Sequence, residues 1–105
     1  MSDEIVAAMR KMNPGYTKGF IKAGTYSKQD QAVPAIVYST HLVGACNLPE
    51  QTVYTMVKTM AANVPDMAAI NKAMGDLTPA AMAEDIGVPM HPGATKFYKE
   101  AAAKK

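Results

Sequence analysis

The sequence predicts a single α+β domain over residues 1–105, with two strands and about five short helices. Its length of 105 residues is enough for one hydrophobic core, but not for two lobes with a cleft between them. Strand-like alternation is confined to residues 16–45, whereas apolar residues recur at helical spacing before and after that range. The chain has no tryptophan, two phenylalanines and five tyrosines, so the predicted core is mainly aliphatic.

The first predicted helix covers residues 2–12. Ile5, Met9 and Met12 lie on one helical face because their spacing is i, i+4 and i+7. Acidic side chains occupy the first turn, where the helix dipole favours negative charge. The Asn-Pro-Gly turn at residues 13–15 ends this helix.

The two predicted strands are residues 16–23 and 32–45, joined by a polar loop at residues 24–31. The longer strand is apolar on both faces around Ile36 and Val37, so both side chains are expected to be buried on opposite faces. The chain offers only one partner strand, and an unpaired strand edge favours pairing with another chain. The sequence therefore predicts a homo-oligomer or a larger protein partner.

The remainder of the chain is predicted to be helical. One helix is expected from residue 49 to Pro65, and a second follows it and ends near Gly75. Thr78 precedes a short helix through residue 85, and a last helix is expected over residues 94–103. Methionines at helical spacing are interpreted as the core side of these helices, the alternative being an adaptable docking surface. These are Met56, Met60, Met67 and Met74.

Charge and composition exclude several functions. The net charge of +2 is too small for a nucleic-acid footprint, and no apolar run is long enough to insert into a membrane. The acidic N-terminus has no signal-peptide pattern, so the chain as written is expected to be cytoplasmic. If it is a fragment of an exported protein, a periplasmic location is expected instead. Cys46 is the only cysteine, which excludes an internal disulfide.

No constellation of residues predicts catalysis. Cys46 has no catalytic spacing to His41 or His91, and one cysteine with two distant histidines does not form a zinc pattern. Ser39 and His41 are interpreted as a structural polar pair, because no nucleophile-elbow glycines surround the serine. There is no phosphate-binding loop. The sequence therefore predicts neither an enzyme nor a metal or cofactor.

Two places are candidates for ligand binding. Tyr26, Gln29 and Asp30 form a polar loop beside the long strand, which either holds a small carboxylate ligand or simply turns the chain. His91 lies just before the last helix, where it either caps free backbone amides or contacts a ligand.

Several short motifs follow one another along the chain from about residue 13. They are Ala23-Gly24-Thr25-Tyr26, Gln29-Asp30, Val33-Pro34, Leu48-Pro49-Glu50, Val53-Tyr54, Met90-His91-Pro92-Gly93-Ala94 and Tyr98-Lys99-Glu100. In order and spacing, this set resembles the C-terminal third of TAXI-family solute-binding proteins, the extracytoplasmic receptors of one class of TRAP transporters. Two positions depart from the family pattern: Ser27-Lys28 replaces its glycine, and Ala45-Cys46-Asn47 replaces a basic and acidic pair.

The resemblance implies an incomplete lobe of a periplasmic-binding-protein-like fold. It also implies a non-catalytic module that binds a small organic acid, with Tyr26, Gln29, Asp30 and His91 as ligand contacts. The alternative is a small structural or accessory subunit of a homo- or hetero-oligomeric complex, which can include an enzyme.

Overall fold

A computed structural model describes residues 2–104, and the chain divides into two compact units, Met1–Leu42 and Val43–Lys105. The first unit contains helix α1 (Asp3–Met12) and strands β1 (Tyr16–Ile21) and β2 (Val33–Tyr38). The second unit contains helices α2 (Glu50–Ala62), α3 (Val64–Ile70), α4 (Pro79–Met82) and α5 (Pro92–Ala103), with a 3₁₀ helix at Lys72–Asp76. The predicted fold class is confirmed, since the described residues form two antiparallel strands and five α-helices, consistent with a partial binding-protein-like lobe.

In the first unit, α1 packs against β1 and buries Val6. The turn between them forms because the Asn13 side chain accepts a hydrogen bond from the Gly15 N–H at 2.9 Å. Lys18 on β1 forms an ion pair with Asp3 on α1, and this contact lowers the pKa of the Asp3 carboxyl group. The predicted helix and turn are both confirmed.

The two strands pair from Tyr16 opposite Tyr38 to Ile21 opposite Val33. Gly19 lies beneath Val37, because a Cβ atom built on the glycine would be 2.7 Å from Val37 Cγ1. A side chain at position 19 would therefore displace the valine.

The second strand is much shorter than predicted, ending at Tyr38 instead of continuing to residue 45. Its partner β1 begins opposite Tyr38, and the preceding chain turns away into α1, so residues 39–42 have no strand beside them within the first unit. The predicted burial of Ile36 and Val37 is also wrong, since Ile36 is half-buried and Val37 is 39% exposed. Two strands and one packed helix do not cover both faces of this sheet.

In the second unit, α5 packs against α2 and α4, and α3 contacts the 3₁₀ helix. The predicted cap at Thr78 is confirmed, because its hydroxyl accepts a hydrogen bond from the Ala81 N–H at 3.1 Å. Two predicted helices are shorter than expected. Asn71 separates α3 from the 3₁₀ helix and caps the latter through the Ala73 N–H, and α4 ends at Met82.

The four methionines divide between the two interpretations. Met60 and Met67 are half-buried, whereas Met56 and Met74 are 44% and 38% exposed.

Within residues 2–104, no helix is both long enough and apolar enough to cross a lipid bilayer.

Candidate functional site

The polar loop between the strands is organised by the side chain of Gln29. Its Nε2 donates hydrogen bonds to the carbonyl oxygens of Gln31 at 2.9 Å and Ile21 at 3.4 Å. Its Oε1 accepts from the Tyr26 N–H at 3.2 Å, and the Gln29 carbonyl accepts from the Gly24 N–H at 2.7 Å. Since both polar atoms of the amide group bond the backbone, Gln29 acts as a positioning residue for the loop.

The other two predicted loop residues are accessible. Tyr26 is 66% exposed, and Asp30 is exposed as well. Between them Lys28 adopts a left-handed conformation with φ of 63°, which is costly for a residue with a Cβ atom. The loop therefore has a defined backbone that carries a phenol and a carboxylate close together in sequence.

His91 belongs to the second unit, where it caps the N-terminus of α5. Its Nδ1 accepts from the Gly93 N–H at 3.1 Å, and its Nε2 lies 3.1 Å from the Leu48 carbonyl oxygen. This arrangement requires the neutral tautomer in which Nε2 carries the proton and donates it. The predicted cap is confirmed, and the ring also ties α5 to the segment before α2.

Gly93 allows α5 to approach α2 closely. A Cβ atom at this position would lie 2.3 Å from the Glu50 carbonyl oxygen and 2.8 Å from the Tyr54 nitrogen. Gly93 and the following Ala94 are both buried. The motif around His91 thus describes a tight helix contact.

Tyr54 is the centre of a polar and aromatic cluster between α2 and α5. Its hydroxyl donates to Glu100 Oε2 at 2.7 Å, and its ring meets Phe97 edge-on with centroids 6.0 Å apart. The Nζ atoms of Lys58 and Lys96 are each 5.6 Å from the ring centroid, in cation–π range. The hydrogen bond to Glu100 raises the pKa of the Tyr54 hydroxyl.

We expect the contact between Tyr54 and Glu100 to weaken at alkaline pH. The phenol must be protonated to donate, so the contact contributes below the ordinary tyrosine pKa of about 10 and is lost as the pH rises through the higher folded value. In an ultraviolet titration of tyrosinate, Glu100→Gln should shift the Tyr54 transition to lower pH, and Tyr54→Phe should remove it. Burial also raises the pKa of Tyr98, and the Tyr98 transition should be the same in wild type and both variants. Identical curves for wild type and Glu100→Gln would contradict the expectation.

An open groove of about 530 Å³ runs along the first half of α5. Lys96 pairs across it with Glu50 at 3.4 Å, so the two lysines and one glutamate that line it leave one net positive charge. This groove is not among the sites predicted from the sequence. The sequence pattern that could have predicted it is the i, i+3, i+4 and i+7 spacing of four α5 residues, because this spacing places them on one helix face. The lining residues are Glu50, Met90, Pro92, Thr95, Lys96 and Lys99.

Among the described residues, Cys46 and His41 do not assemble into a site. Cys46 is exposed, and the ring of His41 contacts the backbone carbonyl of Ser39 at 3.2 Å, where a hydroxyl contact was expected. Across residues 2–104, no three His, Cys, Asp or Glu side chains cluster in a way that could hold a metal ion.

Comparison with known protein families assigns the chain to one of them. The family model described as "NMT1-like family" matches residues 1–101, nearly the entire sequence. This is a periplasmic-binding-protein-like family, which confirms the predicted kinship with solute-binding proteins at that level. The chain belongs to the NMT1-like family.

Proposed function

We propose that this chain is a non-catalytic module that binds a small organic acid, in the manner of the TAXI receptors of TRAP transporters. The family match over residues 1–101 carries the proposal, because it relates the chain to binding proteins. The motifs around Tyr26 and His91 support the narrower TAXI assignment. If the chain is a fragment of an exported protein, it acts in the periplasm under this proposal.

The chemistry of the loop fits such a ligand. The Tyr26 hydroxyl would donate a hydrogen bond to a ligand carboxylate, and Asp30 would accept one from a hydroxyl or ammonium group of the same molecule. Gln29 would hold these two residues in place through the backbone. No bond is made or broken in this scheme.

The groove beside α5, within the second unit, is a separate candidate place for such a ligand. Lys99 would attract a carboxylate, while Met90 and Pro92 would contact a short hydrocarbon chain. His91 would contribute indirectly, since its two hydrogen bonds hold the start of α5 and therefore the groove wall.

Calorimetric titration with succinate, 2-oxoglutarate and glutamate tests the proposal. We expect at least one of these acids to bind, and Tyr26→Phe to weaken its binding about tenfold, as expected for one hydrogen bond to a charged group. Tyr38→Phe is the matched control, because Tyr38 is 75% exposed in the same unit but outside the loop. The bound acid should be recovered unchanged after incubation. Absence of binding by all three acids, or equal losses in the two variants, would contradict the proposal.

A second candidate function is that of a subunit in a larger assembly. The chain exposes 8130 Å², about 1,300 Å² more than the roughly 6,800 Å² expected for two separately folded units of these lengths. Among residues 2–104, Val6 and Ala94 are the only hydrophobic residues classed as buried. A partner would cover part of this surface, and light scattering over a range of concentrations measures whether one is bound.

A further inference from the structure

Lys28 lies at the tip of the polar loop, in a conformation that a lysine rarely adopts. The Gln29 N–H donates to the Tyr26 carbonyl oxygen at 3.2 Å, so Ser27 and Lys28 are the two central residues of a β-turn. Lys28 has a φ of 63° at the second central position, where turns that need a positive φ usually have glycine or asparagine. Within residues 2–104, it is the only residue other than glycine with a positive φ.

The rest of the loop explains why this conformation is kept, but not why the residue is a lysine. The Gly24 N–H donates to the Gln29 carbonyl oxygen, and the Gln29 side chain bonds three further backbone groups. These hydrogen bonds fix the path of the backbone, so the left-handed position persists despite its cost. The Lys28 side chain is exposed, and in the described part of the chain no hydrogen bond or ion pair holds its ammonium group. This group is therefore free to pair with a ligand.

Lys28 also decides the charge of the loop. Among residues 24–31, only Lys28 and Asp30 are charged. Without the lysine, the carboxylate of Asp30 would be the only charge in the loop, and it would repel an organic acid. With the lysine, the loop offers an ammonium group and the Tyr26 hydroxyl as donors to a carboxylate.

We propose that Lys28 binds the carboxylate of the ligand and makes the loop selective for acids. Lys28 lies two residues from Tyr26 and two from Asp30, the two ligand contacts already proposed in this loop. A hydrogen bond from an ammonium group to a carboxylate is stronger than one between neutral groups. This inference rests on the proposed function and names the residue that supplies its positive charge.

Variants of Lys28 separate the effect of its charge from that of its backbone conformation. Lys28→Asn removes the charge but tolerates the left-handed conformation, and Lys28→Gly removes both the charge and the conformational cost. In calorimetric titration with succinate, 2-oxoglutarate and glutamate, both variants should bind about tenfold more weakly than wild type. Lys28→Arg keeps the charge and should retain binding. Lys11→Gln is the matched control, because it removes an exposed positive charge of the same unit outside the loop, and it should leave binding unchanged.

Two further measurements show whether a loss of binding is electrostatic. Added salt should weaken binding by the wild-type chain more than binding by Lys28→Asn, because salt screens an exposed charge pair. Lys28→Gly should keep or raise the urea unfolding midpoint, since glycine adopts a positive φ without steric cost. Weaker binding by a variant that is at least as stable as wild type cannot result from misfolding.

The outcomes distinguish this inference from the proposed function. If none of the three acids binds to the wild-type chain, both are overturned. If an acid binds equally well to wild type, Lys28→Asn and Lys28→Gly, only the role of Lys28 is overturned. An equal loss of binding in Lys11→Gln would also overturn that role, because the effect would then be one of total charge.

Discussion

Gly93→Ala is expected to destabilise the second unit by about 3 kcal/mol or more, at the upper end of overpacking substitutions. The added methyl group would lie 2.3 Å from the Glu50 carbonyl oxygen and 2.8 Å from the Tyr54 nitrogen. Both are backbone atoms of α2, so neither can move aside as a flexible side chain would. Relief requires α5 to separate from α2.

Urea unfolding followed by circular dichroism measures this effect. Gly75→Ala is the control, because its new Cβ atom would be 3.6 Å from the Ala68 side chain, an ordinary contact distance. Gly75 does not have a positive φ, so the control should retain or slightly gain stability. Similar unfolding midpoints for the two variants would show that the close approach of the helices is not needed.

His91→Leu is expected to lose about 2 kcal/mol of unfolding free energy. The leucine would leave the Gly93 N–H and the Leu48 carbonyl without their partner in a half-buried region. His91→Asn can still cap the helix but is too short to keep both contacts, so about 1 kcal/mol should be lost.

His41→Leu provides the control for the two His91 variants. The His41 ring is exposed and bonds a carbonyl two residues away, so the change should be within about 0.5 kcal/mol. Equal stability of His91→Leu and His41→Leu would contradict the structural role of His91. Full stability of His91→Asn combined with lost binding of the organic acids would instead make His91 a ligand contact.

The parts of the candidate site that depend on residues adjacent in sequence were predictable. The polar loop was identified from the residues around Tyr26, and the cap at His91 from its place before Pro92 and Gly93. The sequence does not reveal that both polar atoms of Gln29 are used within the loop, because the amide bonds depend on the path of the folded backbone. The α5 groove was missed because Glu50, from another helix, forms part of it.

The sequence by itself determined the fold class, the order of the elements and where several of them begin. These depend on interactions within a few residues, such as the Asn13 turn and the Thr78 cap. Turns and helix caps of this kind form from neighbouring residues and do not depend on the rest of the fold.

Only the tertiary structure decided how long β2 is, how little of it is buried and why Gly93 is required. A strand ends where its partner ends, and β1 starts opposite Tyr38. The bonds from Tyr54 to Glu100 and from His91 to Leu48 join residues more than forty positions apart, so no local pattern specifies them. Burial and close approach depend on what lies opposite in space, and that is set by packing between elements.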